Sequence, residues 1–364
     1  IQEKNRYSIN ELVISKFIRK IKEYKLRFIP IQEHCLVKFN NIEKSNYIIN
    51  KCNKLFDSES INNSSNFIKK DYFMFYMDYI KGITLSKYLY YKSKKNVDNV
   101  NFNFNFNFYN NYLYSLYYLL NSIYILNSIN IVHNDLHYEN ILYNLSTNKT
   151  LILDFGLSFK YNFLFKHDKK KYDYKRLQMY FFDWRENHFH HLIEKRFISF
   201  IIYNQSSILD YDIKIENDFE VNYLNKELID IFINDIYKNI VNDKKYSNLF
   251  TNEELQEYIL VCRSYYYKFL PENDNNNKYK YISNILNELL PFVLKYNDLW
   301  SLTETYIELI YEKLRYEIYN KKYNSKNYIF IYELIKELFK KVLYPVPEYR
   351  LNIKQLISIF TFIF

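Results

Sequence analysis

The stretch that decides the fold is "IVHNDLHYENIL", residues 131–142, in which two apolar residues lead into a polar loop. Before it, "LYSLYYLLNSIYILNSI" (residues 113–129) carries leucines and isoleucines at helical spacing and predicts an amphipathic helix. After it, "TLILDFGLSF" (residues 150–159) predicts a buried strand followed by a turn. A helix, a polar loop, a strand and a turn therefore follow one another, and both the loop and the turn carry acidic side chains.

Three side chains in this run suit the chemistry of phosphoryl transfer. Asp135 and Asn140 are five residues apart in the loop, and Asp154 comes fourteen residues after Asn140. One carboxylate of such a trio can accept the proton of an attacking hydroxyl. An amide and a second carboxylate provide the oxygen ligands that Mg²⁺ requires.

The pattern His-x-Asp-x₄-Asn, followed at short range by Asp-Phe-Gly, resembles the signature set of the protein kinase superfamily. The resemblance implies that Asp135 is the catalytic base and that Asn140 and Asp154 hold Mg²⁺ or Mn²⁺. The resemblance also implies structural roles for His133, Phe155 and Gly156. The chain has only two glycines, so a glycine directly after Asp-Phe makes a chance match less credible.

The other glycine lies in "YMDYIKGITLSKYL", residues 76–89, which resembles the kinase hinge and the helix that follows it. The resemblance implies that the backbone of Met77, Asp78 and Tyr79 binds the adenine of ATP. These residues come before the loop of residues 131–142, as the order of kinase segments requires.

Lys38 in "LVKF" resembles the strand lysine that pairs with the α- and β-phosphates. Its partner on the next helix is expected to be Glu43, with Glu59 as the alternative. No glycine precedes Lys38, so the Gly-rich phosphate loop of the family has no counterpart before it. The candidates to replace its glycines are Asn5, Ser8 and Asn10.

Two late segments extend the resemblance. In "NDLWSLTETYIELI" (residues 297–310), Asp298 is expected to anchor the backbone of the catalytic loop, although Asp173 is an alternative in a competing alignment. In "PVPEYRLNIKQLI" (residues 345–357), Arg350 is expected to hold the end of the activation segment, with Glu288 as a weak candidate for its partner.

Two loop residues depart from the family pattern. Asn134 replaces an Arg that usually receives a phosphate on the activation loop, so control by phosphorylation there is not expected. His137 replaces a Lys that often touches the γ-phosphate, and a His at this place resembles small-molecule kinases.

The fold predicted by the resemblance is α+β and bilobal, with a small β-rich lobe at residues 1–76 and a mainly helical lobe at 77–364. The second lobe contains a long insertion at about residues 160–287, after the Asp-Phe-Gly segment. The predicted function is ATP-dependent transfer of the γ-phosphate to a Ser or Thr hydroxyl of a protein. The alternatives are an inactive kinase-like binding module and a kinase of small hydroxyl compounds.

Composition adds little about function. The richness in Asn, Lys, Ile, Tyr and Phe indicates an AT-rich genome, such as that of a parasite or a large DNA virus. Three widely spaced cysteines indicate a reducing compartment, the cytoplasm or a host's cytoplasm. The net charge of +9 is a mild excess, so nucleic acid is not an expected partner, and no apolar run predicts a membrane span.

Overall fold

The computed structural model describes residues 2–38, 71–85, 87, 106–166, 171–181, 191–208, 218–243, 246–271, 279–319 and 326–363. The chain divides into two compact units, which are residues 1–83 with 140–158, and residues 84–139 with 159–364. Small antiparallel sheets and many helices make the chain α+β, as predicted. The first unit differs from the predicted small lobe, residues 1–76, because it also contains residues 140–158 with Asn140 and Asp154.

Helix α1 (Arg6–Ile18) in the first unit begins with a capping box. The Asn5 side chain accepts hydrogen bonds from the backbone N–H groups of Tyr7 and Ser8, and the Ser8 hydroxyl accepts one from the Asn5 N–H. Such a cap contributes about 1 kcal/mol to helix stability. Asn5 and Ser8 therefore start a helix, and their side chains are engaged in its cap.

A three-stranded sheet lies beside α1 in the first unit. Its strands are β1 (Gln2–Glu3), β2 (Glu33–Lys38) and β3 (Asp71–Tyr76), in the order β1-β3-β2, and both pairings are antiparallel. Leu12 of α1 forms a core cluster with Ile31 and Phe73, against which Phe75 and Met77 pack. Helix α1 and strand β3 therefore pack against each other through this apolar cluster.

A second small sheet contains β6 (Ile141–Asn144) and β7 (Lys149–Ile152), which pair as antiparallel strands, with β4 (Gly82–Thr84) beside β6. Gly82 approaches β6 closely, because a Cβ at this position would lie 2.8 Å from the carbonyl oxygen of Tyr143. A backbone atom cannot move aside as a flexible side chain can. The position therefore requires glycine.

We expect Gly82→Ala to destabilise the protein by about 1–3 kcal/mol, the usual cost of forcing an extra carbon into packed structure. The measurement is chemical denaturation of the two proteins. Lys81→Ala at the exposed neighbouring position is the matched control. Equal denaturation midpoints for Gly82→Ala and wild type would contradict the close approach.

The second unit is mostly helical. Its described helices are α2 (Phe106–Ser128), α3 (Tyr174–Phe181), α4 (Ile193–Ile208), α5 (Lys226–Asn242), α6 (Tyr246–Leu249), α7 (Asn252–Tyr267), α8 (Ile282–Tyr319), α9 (Lys326–Val342) and α10 (Ile353–Ile363). Helix α8 packs against α2, α4 and α9, and α10 packs against α2. Strands β5 (Ile131–Val132) and β8 (Phe159–Lys160) pair antiparallel. Helix α2 covers most of the helix predicted over residues 113–129.

Residues 160–287, expected to be an insertion, supply several of these packed helices. Phe197 of α4, Phe232 of α5 and Tyr266 of α7 form an aromatic cluster with centroid distances of 4.6–5.5 Å, and all three are buried. Within the described part of the chain, these aromatic side chains belong to the core.

No helix among the described residues is long and apolar enough to cross a membrane.

Candidate active site

Asp298 of α8 holds the backbone of the loop that follows β5, within the second unit. One carboxylate oxygen accepts the N–H of His133 at 2.7 Å, and the other accepts the N–H of Asn134 at 2.9 Å. All three residues are buried, so these charge-assisted bonds are shielded from water. The two bonds fix the backbone directly before Asp135.

The alternative anchor, Asp173, makes a different contact. Its carboxylate accepts the backbone N–H of Arg176 at 3.2 Å and pairs with the Arg176 side chain at 3.3 Å. This is the behaviour of a capping residue at the start of α3. The competing alignment that assigned Asp173 to the loop is therefore not supported by its contacts.

Asn134 stands where the resemblance to protein kinases leads one to expect Arg, and its backbone explains why Asn suits the place. Its φ angle is 68°, in the left-handed region that Asn tolerates better than most residues. Its side-chain N–H₂ donates to the carbonyl of Tyr180 at 3.5 Å, and its side-chain oxygen accepts from Nζ of Lys195 at 2.7 Å. The buried amide thereby connects the loop to α3 and α4.

Asp135 is partly buried, and its Oδ2 lies 3.7 Å from Nε2 of His137. Burial is the largest influence and raises the pKa of Asp135. The nearby His137 ring, together with His133 and Lys195, outweighs it, so the pKa of Asp135 lies below its ordinary value. Asp135 is therefore a carboxylate at neutral pH, which is the form that can accept a proton.

Arg350 and Glu194 form a fully buried ion pair in the second unit. The two guanidinium nitrogens lie 2.9 and 2.8 Å from the two carboxylate oxygens, and the guanidinium also donates to the carbonyls of Tyr344 and Pro345. The expected partner, Glu288, instead pairs with Lys268. The choice of Glu288 is wrong because Glu194, in the first turn of α4, occupies the position opposite the guanidinium.

Asn140 and Asp154, the candidate metal ligands, lie near each other in the first unit. The N–H of Leu153, the residue before Asp154, donates to the backbone carbonyl of Asn140 at 3.1 Å. Asp154 has a φ angle of 60°, and its Oδ1 accepts the N–H of Gly156 at 3.2 Å. A left-handed conformation costs a non-glycine residue about 1–3 kcal/mol and often marks a functional position.

Helix α1 holds the turn at Asp154–Gly156. The side-chain amide of Asn10 donates to the carbonyls of Gly156 and Ser158 at 2.9 and 2.6 Å. The side-chain amide of Asn10 is thus committed to this turn. The ring of Phe155 is buried and meets the ring of Phe28 edge-on at 6.3 Å.

Glu11 of α1 was missed by the sequence analysis. Burial, followed by repulsion from Asp154, raises the pKa of Glu11 to about 7, although a hydrogen bond with the Phe155 backbone opposes the rise. Glu11 is the single acidic residue of α1 and lies among buried positions of that helix. Several other buried residues of α1 are polar too, so no apolar stripe in the sequence marked Glu11 as buried.

Lys38 stays a prediction as the phosphate-binding lysine, and Lys4 is a second candidate for that role. Lys38 is the last residue of β2, which comes after α1 in the chain, and Glu43 and Glu59 lie outside the described residues. Lys4 directly follows β1, before α1, and its N–H donates to the Asp71 carbonyl at 2.8 Å. Lys4 and Glu11 thus also occur in the order of lysine strand and glutamate helix, although Nζ of Lys4 lies 3.4 Å from the Asp71 carboxylate.

The expected adenine-binding residues follow β3, in a stretch without helix or strand at residues 77–81. Met77 packs against the core cluster of α1, and Tyr79 is 91% exposed. The Asp78 carboxylate lies 3.1 Å from Nζ of Lys25. This ion pair engages the side chain of Asp78. Only the backbone of Asp78 is therefore a candidate for adenine binding.

The residues present fit a magnesium ion that is bound mainly by phosphates. No group of three or more His, Cys, Asp and Glu residues suited to a metal occurs in the part of the chain that the structure describes. Asn140 and Asp154 offer an amide and one carboxylate on adjoining backbone. Mg²⁺ keeps several waters and usually takes only one or two protein carboxylates together with substrate phosphates.

No protein-family model matches the chain, and no curated protein matches it either. The functional assignment therefore depends on the motifs and on the contacts described above.

Proposed function

We propose that this protein is a phosphotransferase of the protein kinase type, which transfers the γ-phosphate of ATP to a Ser or Thr hydroxyl of a protein. The contact of Asp298 with the loop carries the proposal. Its carboxylate accepts the N–H groups of His133 and Asn134, from a position 165 residues beyond His133 in the chain. This is the contact that the resemblance implies for the Asp of the Asp-x-Trp-Ser segment.

Asp135 is the catalytic base in this proposal. Its lowered pKa keeps it ionised, so it can accept a hydrogen bond from the substrate hydroxyl and aim the oxygen at the γ-phosphorus. As the new O–P bond forms, the hydroxyl proton passes to Asp135. The bond from the γ-phosphorus to its bridging oxygen breaks, and ADP is the leaving group.

Asn140 and Asp154 would hold Mg²⁺ or Mn²⁺, which neutralises charge on the nucleotide phosphates when it is bound. Asn10 and Glu11 fix the turn that contains Asp154, through the carbonyl of Gly156 and the backbone of Phe155. Lys4 and Lys38 are the two candidates for the lysine that pairs with the α- and β-phosphates. Lys4 is followed by a described helix that carries Glu11, whereas the segment directly after Lys38 lies outside the described residues.

A second candidate function is transfer to the hydroxyl of a small molecule. His137 supports it, because this residue replaces the expected Lys and its ring lies 3.7 Å from the Asp135 carboxylate. A histidine so placed changes the charge and the shape of the surroundings of the base.

Transfer from γ-labelled ATP to two sets of acceptors tests the proposal. One set contains generic proteins, the other hydroxylated metabolites, and EDTA-treated reactions are the controls. We expect metal-dependent label on Ser or Thr of proteins. Label on metabolites alone would select the second candidate, and no transfer to any acceptor would contradict both.

A further inference from the structure

Three consecutive charged residues at the start of α4 are buried, and each makes a contact with a different part of the second unit. Glu194 pairs with Arg350, and Arg196 lies 3.0 Å from a carboxylate oxygen of Asp235. Between them, Lys195 donates from Nζ to the side-chain oxygen of Asn134 at 2.7 Å. Three contacts therefore hold the first turn of α4, and the contact made by Lys195 is with the loop that follows β5.

Lys195 is a charged residue that is buried in the second unit. Its side chain is only 3% exposed, and an ammonium group is costly to bury without partners. An exposed lysine on α4 would avoid this cost. The attraction between Lys195 and Asp135 also contributes to keeping Asp135 ionised.

Lys195 makes a direct contact with the loop from a distant part of the chain. It lies 61 residues beyond Asn134, and its Nζ binds the buried amide oxygen of that residue. The residue it binds directly precedes Asp135.

We infer that Lys195 is a positioning residue that holds Asn134 and its neighbour Asp135 in place for transfer. The inference rests on the proposed function. It deepens that function by naming a residue of α4, outside the loop, that positions the base.

The test uses the whole chain and measures transfer of labelled γ-phosphate. Lys195→Met, whose side chain is similar in shape but uncharged, should lower kcat about 10- to 100-fold, because small displacements of catalytic groups have effects of this size. The KM for ATP should stay near the wild-type value. Lys238→Met, at an exposed position of α5, is the matched control.

Asn134→Gly provides a second, independent variant. Glycine accepts the left-handed backbone at this position but removes the amide oxygen that Lys195 binds. We expect the same loss of kcat with little change in the KM for ATP. This variant also decides the matter if Lys195→Met does not fold.

The outcomes separate the inference from the proposed function. Wild-type kcat in both variants would overturn the inference and leave the function standing. A wild type that transfers no phosphate would overturn the proposed function, and the inference with it.

Discussion

Replacing Asp135 with Asn is expected to lower kcat for phosphate transfer by about 10²- to 10⁴-fold, the usual contribution of a general base. The amide keeps the size of the side chain but cannot take the proton of the substrate hydroxyl. The fold should be unaffected, because Asp298 holds the loop through the backbone of His133 and Asn134 and not through Asp135. The KM for ATP should also change little, since the base acts in the transition state.

Steady-state kinetics of purified wild type and Asp135→Asn measure this effect. Asp173→Asn is the matched control, because Asp173 belongs to the same unit and its side chain caps α3, a task that Asn performs equally well. A variant Asp135→Asn with kcat within about twofold of wild type would show that another group takes the proton.

Replacing Arg350 with Ala is expected to destabilise the protein by about 3–5 kcal/mol, the usual effect of removing one partner of a buried ion pair. Glu194 would keep its charge in a site with no exposure to water. Two backbone carbonyls, of Tyr344 and Pro345, would also lose a donor. The contacts of the guanidinium with the rings of Tyr296 and Trp300 would disappear as well.

Denaturation of the single variants Arg350→Ala and Glu194→Ala and of the double variant measures the coupling between the two side chains. We expect the double variant to be less destabilised than the sum of the singles, because the second change removes the charge that the first left unpaired. Lys280→Ala breaks an exposed ion pair with Glu220 and should leave the denaturation midpoint near wild type. Additive effects of the two single changes would show that the pair is not coupled.

The sequence was most informative where the evidence lies in adjacent residues. The loop at residues 131–142 and the turn after β7 carry their functional side chains at fixed local spacings, so Asp135, Asn140 and Asp154 could be proposed without a structure. Helix α2 could be predicted because one apolar stripe repeats along it.

Pairings between distant residues could not be predicted in this way. Glu194 and Arg350 are 156 residues apart, and in sequence Glu194 resembles any acid in the first turn of a helix. Lys4 and Lys38 each lie at the end of a strand of the same sheet, and local alternation does not reveal the order of strands. The contact of Lys195 with Asn134 depends on packing of α4 against the loop, for which no local pattern exists.

The most direct test of the central claim is metal-dependent transfer of labelled γ-phosphate by wild type and by Asp154→Asn. Asp154 lies in the turn that Asn10 and Gly156 hold, so the amide should fit the same backbone while it weakens the binding of a divalent cation. We expect Mg²⁺- or Mn²⁺-dependent label on protein Ser or Thr with wild type, and loss of that label with Asp154→Asn. Undiminished transfer by Asp154→Asn, or no transfer by wild type with either metal, would contradict the account.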